Sequence, residues 1–98
     1  MGRVSLRSTV VAAKDQISAD LAGEAVLLHL KSGVYYGLNP VGARVWDLLK
    51  TPTPVRQISR VLLEEYRVDP QRCEQDLLAL LQELETEGLI EMKHGATS

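Results

Sequence analysis

Three short junctions divide the second half of the chain into helical segments. Each places a potential capping side chain directly before a proline: Asn39-Pro40, Thr53-Pro54 and Asp69-Pro70. Such side chains accept hydrogen bonds from the free N–H groups at a helix start, and proline suits the first turn because its missing N–H would be unpaired there. Apolar residues then recur at helical spacing. The pattern predicts three α-helices, the third running from about Gln71 to Glu87 and ending before Gly88.

The first half of the chain has the alternation that is typical of strands. Residues 16–21 alternate between polar and apolar side chains, which predicts a half-buried strand. Residues 24–30 are apolar on both faces, which predicts a central strand covered on both sides. A hairpin loop at residues 31–33 leads to a third strand, residues 34–38. The earlier run at residues 8–13 is expected to add a strand or to cover an outer sheet face near Ala25 and Leu27.

This order of elements predicts the fold class. A three-stranded antiparallel sheet followed by three helices indicates an α+β domain with the helices on one sheet face. A chain of 98 residues with 45% hydrophobic residues has room for one such domain. We expect that domain to span residues 14–91, with an N-terminal segment at 1–13 and a C-terminal tail at 92–98.

The residues that carry most enzyme chemistry are sparse. Cys73 is the single cysteine, so neither an internal disulfide nor a cysteine-built zinc site is expected. His29 and His94 have no neighbours at metal-ligand spacing, and the sequence contains no phosphate-binding loop or nucleophile elbow. We therefore expect a protein without catalytic activity, metal or cofactor. No apolar run is long enough to span a bilayer or to form a signal peptide, so we expect a cytoplasmic protein.

Two other function classes fit the same elements. Three helices and a hairpin also describe a winged-helix DNA-binding protein, but residues 64–91 hold nine acidic and two basic side chains. An acidic recognition helix would repel phosphates, so no nucleic-acid partner is expected. The part of the chain through Leu63 is more basic, and Arg56 and Arg60 share one face of the second helix. The other class is an assembly module that forms a homodimer through the edge of the third strand.

Three stretches together resemble the PqqD-like family, the recognition elements of pathways that modify ribosomally made peptides. They are DLAGEAVLLHLKSGVYYGLNPVGARVWDLL, LLEEYRVDP and DLLALLQELETEGLI, and the resemblance covers about residues 14–91. The version with YYGLNPVGARVW is most similar to stand-alone members of lasso-peptide pathways. The resemblance implies a winged-helix-like fold and a non-catalytic protein. Its expected function is to bind the leader segment of a precursor peptide and present it to processing enzymes.

The resemblance also implies where the leader binds. In this family the leader adds a strand to the edge of the third strand, and its side chains enter a groove against the third helix. On this chain the edge corresponds to Val34, Tyr35, Tyr36, Gly37 and Leu38. The helix side corresponds to Cys73, Asp76, Leu77, Leu80 and Leu84.

The residues themselves add detail to that site. Tyr35 and Tyr36 must point to opposite sheet faces, and we assign Tyr36, in phase with Val34 and Leu38, to the helix side. Apolar residues cover an arc of roughly 160° on the third helix, wider than one packed face requires. That width fits either a helix wedged between two surfaces or one flank that lines a groove. If Asp76 and Glu83 flank the groove, a leader with Lys or Arg near its apolar anchors is favoured.

The expected partners follow from the same resemblance. A lasso-peptide pathway implies a leader peptidase and a cyclase, whereas a pathway like that of the quinone cofactor implies a radical-type modifying enzyme. The residues of this chain do not choose between these pathways.

Overall fold

The computed structural model describes residues 4–21 and 24–93. The first three residues of the expected N-terminal segment, Ala22 and Gly23, and residues 94–98 of the expected tail, with His94, lie outside the described residues. The elements follow in the order β1 (Thr9–Ala12), β2 (Gln16–Leu21), β3 (Glu24–His29), β4 (Tyr35–Leu38), α1 (Pro40–Leu48), β5 (Thr53–Pro54), α2 (Val55–Glu65), α3 (Pro70–Thr86) and β6 (Ile90–Lys93).

The three predicted strands form one antiparallel sheet. Its order is β2-β3-β4, so β3 is central and both β2 and β4 are edge strands. The tight loop before β4 uses Gly33 at φ +74°, where a side chain would be strained. Strand β4 begins at Tyr35, so Val34 immediately precedes it. The predicted three-stranded antiparallel sheet is confirmed.

Only one face of this sheet is covered by described residues. Leu27 lies opposite Tyr36 and Ala25 lies opposite Leu38, so these four share a face. That face packs against the helices, and Leu27 is completely buried. Two predictions are therefore wrong: β3 is not covered on both sides, and Ala25 and Leu27 face the core. Apolar residues on both faces identified β3 as central, but they could not show that β1, one candidate to cover the outer face, joins a separate sheet.

Strand β2 is also more exposed than its alternation indicated. Ile17 is 54% exposed, and Ala19 is exposed as well. Both lie on the uncovered face, because Ile17 pairs with Leu28 and Ala19 with Val26. Alternation shows which residues share a face, but it does not show whether that face meets a core. The prediction of a half-buried strand is wrong for these residues.

A second sheet ties the N-terminal segment to the end of the described chain. Its order is β5-β1-β6, with Thr9 opposite both Pro54 and Lys93. The strand expected near residues 8–13 therefore forms, but in a separate sheet. Strand β6 was not predicted, and it includes Met92 and Lys93, the first two residues of the expected tail. The division into segments 1–13, 14–91 and 92–98 stays a prediction.

Two of the three predicted helix starts are confirmed. Oδ1 of Asn39 accepts the N–H of Gly42 at 2.8 Å, and the carboxylate of Asp69 accepts the N–H of Arg72 at 2.9 Å. Both helices begin with proline. Gly88, at φ +76°, follows the end of α3 as expected.

The middle helix start is wrong. Thr53 belongs to β5, and its hydroxyl donates to the carbonyl of Leu48 at 2.7 Å. Helix α2 therefore begins at Val55 without a side-chain cap. The pairing of Thr53 with Val10 of β1 holds this segment extended. A local capping signal could not reveal that competing strand.

One hydrophobic core joins the two sheets and the three helices. Both sheets and all three helices contribute to it. The residues that are at most 1% exposed include Val10, Leu27, Val45, Leu49, Ile58, Leu81, Leu84 and Leu89. The predicted α+β class with three helices is confirmed. Among the described residues, no helix combines the length and apolar character that crossing a membrane would require.

Candidate functional site

The outer edge of β4 carries unpaired backbone groups. The N–H of His29 donates to the carbonyl of Val34 at 3.0 Å, and the N–H of Leu30 donates to the carbonyl of Asp15 at 2.9 Å. In an antiparallel pair the direction of these groups alternates along each strand. Tyr36 and Leu38 therefore bond toward β3, whereas the N–H and C=O groups of Tyr35 and Gly37 point away from the sheet. An extended segment could bond to these two residues.

A cavity of about 440 Å³ opens beside this edge. Strand β4 forms one wall, the first turns of α1 form the end wall, and α3 forms the opposite wall. We call this cavity the groove. Its lining is mostly apolar, and Val41 and Val68 at its rim are 40% and 46% exposed. A groove of this size and character fits apolar side chains of a bound segment.

Seven of the ten predicted site residues line the groove: Tyr36, Gly37, Leu38, Cys73, Asp76, Leu77 and Leu80. The other three lie elsewhere. Val34 and Tyr35 are exposed, and Tyr35 points to the uncovered sheet face with 71% of its area accessible. Leu84 is completely buried in the core. It lies on the core-facing side of α3 and does not line the groove.

Seven further lining residues were not predicted: Asn39, Val41, Gly42, Val45, Leu62, Val68 and Arg72. Four of them belong to the Asn39 cap and to α1. Because Pro40 starts α1 only two residues after Leu38, this helix necessarily begins beside the end of β4. The adjacency of the YYGL strand and the Asn39-Pro40 junction was a signal that could have located this end of the groove. The contributions of Leu62 and Val68 depend on tertiary packing and had no local signal.

Gly42, in the end wall of the groove, lies close to Leu38. A methyl group at this position would stand 3.2 Å from Cδ2 and 3.3 Å from Cβ of Leu38. Leu38 is itself buried and belongs to β4. The missing side chain of Gly42 therefore lets α1 approach β4 closely at this end.

Tyr36 connects the two long walls of the groove. Its hydroxyl donates a hydrogen bond to Oε1 of Glu83 on α3 at 2.5 Å. Partial burial and, next, the acceptor Glu83 raise the pKa of Tyr36 to about 12. The assignment of Tyr36 to the helix side is confirmed by this contact.

Cys73 and Asp76 lie one turn apart on the groove wall of α3. Burial, followed by the charge of Asp76, raises the pKa of the Cys73 thiol. A protonated thiol is a poor nucleophile. Asp76 already has a partner, since its carboxylate lies 3.6 Å from Nε of Arg72 in an exposed pair. Since Glu83 also accepts from Tyr36, both acids that were expected to attract a basic leader have contacts within the chain.

The described residues offer no arrangement for metal binding. Within residues 4–21 and 24–93, no group of three or more His, Cys, Asp or Glu side chains could hold a metal ion.

The groove combines free backbone groups with an apolar lining. That combination is suited to binding an extended peptide.

Most of the chain matches a known protein family. Residues 24–90 match the family described as "Coenzyme PQQ synthesis protein D (PqqD)". No curated protein sequence gives a significant match.

Two solved structures are similar over most of the chain. One, described as "TbiB1 in Complex with the TbiA(beta) Leader Peptide", is 37% identical with a TM-score of 0.77, covering 83% of this chain and 94% of that one. The other, described as "Lasso peptide synthetase B1 complexed with the leader peptide", is 26% identical with a TM-score of 0.74, covering 84% of this chain and 96% of that one. From the family match and these similarities together, the chain belongs to the PqqD family.

Proposed function

We propose that this protein binds the leader segment of a ribosomally made precursor peptide and presents it to processing enzymes. The observation that carries the proposal is the position of the free edge of β4 directly beside the apolar groove. One edge can hold a peptide backbone, and the adjoining groove can select its side chains. The similar structures support the proposal because both are described as complexes with leader peptides.

Binding by strand addition uses the two residues whose backbone groups point outward. The leader backbone bonds to Tyr35 and Gly37, so the side chain of Tyr35 is not required to enter the groove. Leader side chains alternate between the two sheet faces. Those on the core side then lie against Leu77 and Leu80, and the deepest of them approach Gly42.

The ten predicted site residues have different roles in this proposal. Val34 and Tyr35 belong to the edge, and Tyr36, Gly37 and Leu38 form both edge and wall. Cys73, Asp76, Leu77 and Leu80 contact leader side chains from α3. Leu84 acts through packing beneath that helix.

The pathway and the location are parts of the same proposal. A leader peptidase and a cyclase are the partners we favour, because one similar structure is described as a lasso peptide synthetase. A radical-type enzyme is the corresponding partner if the pathway resembles that of the quinone cofactor. We assign the protein to the cytoplasm, where the single unpaired Cys73 would stay reduced.

A DNA-binding function is less consistent with the groove and with α3. Asp76 lines the groove, and Glu83 bonds to the side chain of Tyr36 at its wall. DNA phosphates in the groove would lie beside these carboxylates and would be repelled by their negative charge. Both similar structures are described as complexes with leader peptides, and neither description mentions nucleic acid.

Calorimetric titration tests the proposal. The ligand is the leader half of the precursor peptide whose gene lies beside the gene for this chain. A leader of scrambled sequence controls for composition, and a nonspecific DNA duplex tests the competing function. We expect one leader to bind per chain and the scrambled peptide to bind much more weakly. Equal binding of both peptides, or binding of DNA alone, would contradict the proposal.

A further inference from the structure

Strand β2 forms the other free edge of the same sheet. Because the carbonyl of Asp15 accepts from Leu30, alternate residues of β2 bond inward to β3. The backbone groups of Gln16, Ser18 and Asp20 therefore point away from the sheet. Within the described residues, no strand pairs with this edge. At six residues it is longer than β4, which has four.

The space beside β2 is open as well. A cleft of about 300 Å³ lies between this strand and α1. Ser18 and Asp20 line it from the strand, Arg44 and Asp47 line it from the helix, and Lys50 lines it just after the helix end. Its charges have both signs, unlike the mainly apolar groove beside β4. A segment that binds here must therefore complement a polar, mixed-charge surface.

We propose that a second copy of this chain occupies the β2 edge, with the two β2 strands pairing antiparallel about Ser18. In that register Ser18 faces Ser18 of the second copy, and Gln16 faces Asp20. All three residues have outward backbone groups, so each facing pair can exchange N–H···O bonds in both directions. The intervening residues, Ile17 and Ala19, also face one another on the uncovered sheet face.

Charge and length favour this register over its neighbours. A pairing centred on Asp20 would place two carboxylates opposite each other, which is unfavourable. A pairing centred on Gln16 would leave Asp20 beyond the end of the partner strand. The register about Ser18 keeps the whole outward set paired and places Ala19 of the second copy beside Ile17, which is 54% exposed in the single chain.

The two-fold axis of this dimer passes through the sheet at Ser18. Both copies of α1 then lie on the same side of a continuous sheet, flanking the axis with Arg44, Asp47 and Lys50. Arg44 is already paired with Glu65 of its own chain at 2.7 Å. The exposed Lys50 and Asp47, 3.9 Å apart within one chain, can instead approach the opposite charges of the second copy. The two β4 edges stay at the outer ends of the sheet, so the dimer leaves both grooves open.

The contact is small, so the dimer is expected to form only at high concentration. It is limited to two short strands and the polar flanks of α1, below the area of a standard stable interface. We expect a weight-average mass that rises with concentration from the 10.8 kDa of one chain toward twice that value.

Sedimentation equilibrium of paired edge variants tests the proposal. Ser18→Pro removes an outward N–H from β2 and should abolish the rise in mass, because an edge strand tolerates proline where its N–H is unpaired. Gly37→Pro makes the same change at the opposite edge and should leave the rise intact. Leader titration of both variants should give the reverse pattern. A mass that does not rise for the wild-type chain, or that rises equally for Ser18→Pro, overturns the dimer without affecting leader binding.

Cross-linking tests the register without relying on proline. In a Cys73→Ser background, Ser18→Cys places two thiols directly opposite each other, within the range of about 4.4–6.8 Å between Cα atoms that a disulfide needs. Asp20→Cys places them about four residues apart, or roughly 13 Å. Mild oxidation should link the first variant into dimers and leave the second monomeric. Equal linking of both would contradict the register.

Discussion

The hydroxyl of Tyr36 donates to the carboxylate of Glu83 at 2.5 Å, and this bond joins β4 to α3 across the groove. Its effect on stability has a defined pH dependence. The pKa of Tyr36 is raised from 10.0 to about 12, so the folded state holds the phenolic proton more tightly than the unfolded chain. The contribution is therefore complete below pH 10 and is lost as the pH rises toward 12.

Urea denaturation at about pH 9, 10 and 11 checks this expectation against Tyr36→Phe. The wild-type free energy of unfolding should fall more steeply over this range than that of the variant, which has no proton to lose. Other groups titrate here too, but they are common to both proteins. Parallel curves for the two proteins would show that the bond does not form in solution.

The backbone N–H of Gly37 should contribute directly to leader affinity. Gly37→Pro removes this N–H. Leader binding should weaken by about two- to tenfold, because that is the effect expected from losing one hydrogen bond. Gly37→Ala is the matched control, because it keeps the N–H and its methyl group would meet nothing within 4 Å. Unchanged affinity in a folded Gly37→Pro variant would argue against strand addition at β4.

The close approach of α1 to β4 predicts that Gly42 does not tolerate a side chain. In Gly42→Ala the new methyl group presses on Leu38, whose Cβ is tied to the backbone and cannot move away. We expect the free energy of unfolding to fall by about 1 kcal/mol, although alanine is the better helix former. Thermal unfolding measures the change. An increase in melting temperature would mean that the two elements separate more easily than their packing indicates.

Cys73 provides a label for the groove without any mutation. The pKa of its thiol is raised by burial, so we expect slow alkylation at pH 7 in the folded chain. Saturating leader should slow the reaction further by covering the groove, whereas the scrambled leader should not. Mass spectrometry follows the reaction, and the urea-unfolded chain supplies the unprotected rate. If the leader does not change the labelling rate of Cys73, the leader binds outside the groove.

Asp76 tests whether charge guides the leader. Asp76→Lys removes the partner of Arg72 and reverses the charge at the groove wall. For a leader with basic residues beside its apolar anchors, affinity should fall at about 20 mM salt and recover at about 500 mM, where screening is strong. Glu64→Lys, an exposed position on α2 that does not line the groove, is the charge-matched control. An equal loss of leader affinity in both variants would indicate that the net charge of the protein, and not the position of Asp76, causes the effect.

Local patterns in the sequence were sufficient for the sheet and for two of the helix starts. The alternation at residues 16–21 and the capped prolines at Asn39 and Asp69 depend on neighbouring residues only. Thr53 carried a similar signal, yet it pairs with Val10, more than forty residues away. No local pattern contains such a pairing, and the missed strand β6 has the same explanation.

The site residues were named from the family resemblance rather than from local patterns. It implied the edge at residues 34–38 and a helix side that includes Cys73, Asp76, Leu77 and Leu80, and the structure brings most of these residues together in the groove. Leu84 belongs to the same apolar arc of α3 but faces the core, because so broad an arc includes both the groove wall and the buried side. The end wall at Gly42 depends on how α1 leaves the sheet.

An amide-resolved NMR titration with the leader tests the central claim most directly. We predict shift changes for Tyr35 through Leu38 and for residues 72–80 of α3, with strong protection of the Gly37 amide from solvent exchange. Amides of β2 should not respond, since that edge lies on the far side of the sheet. Changes centred on β2, or on Arg56 and Arg60 of α2 with none at β4, would contradict the account.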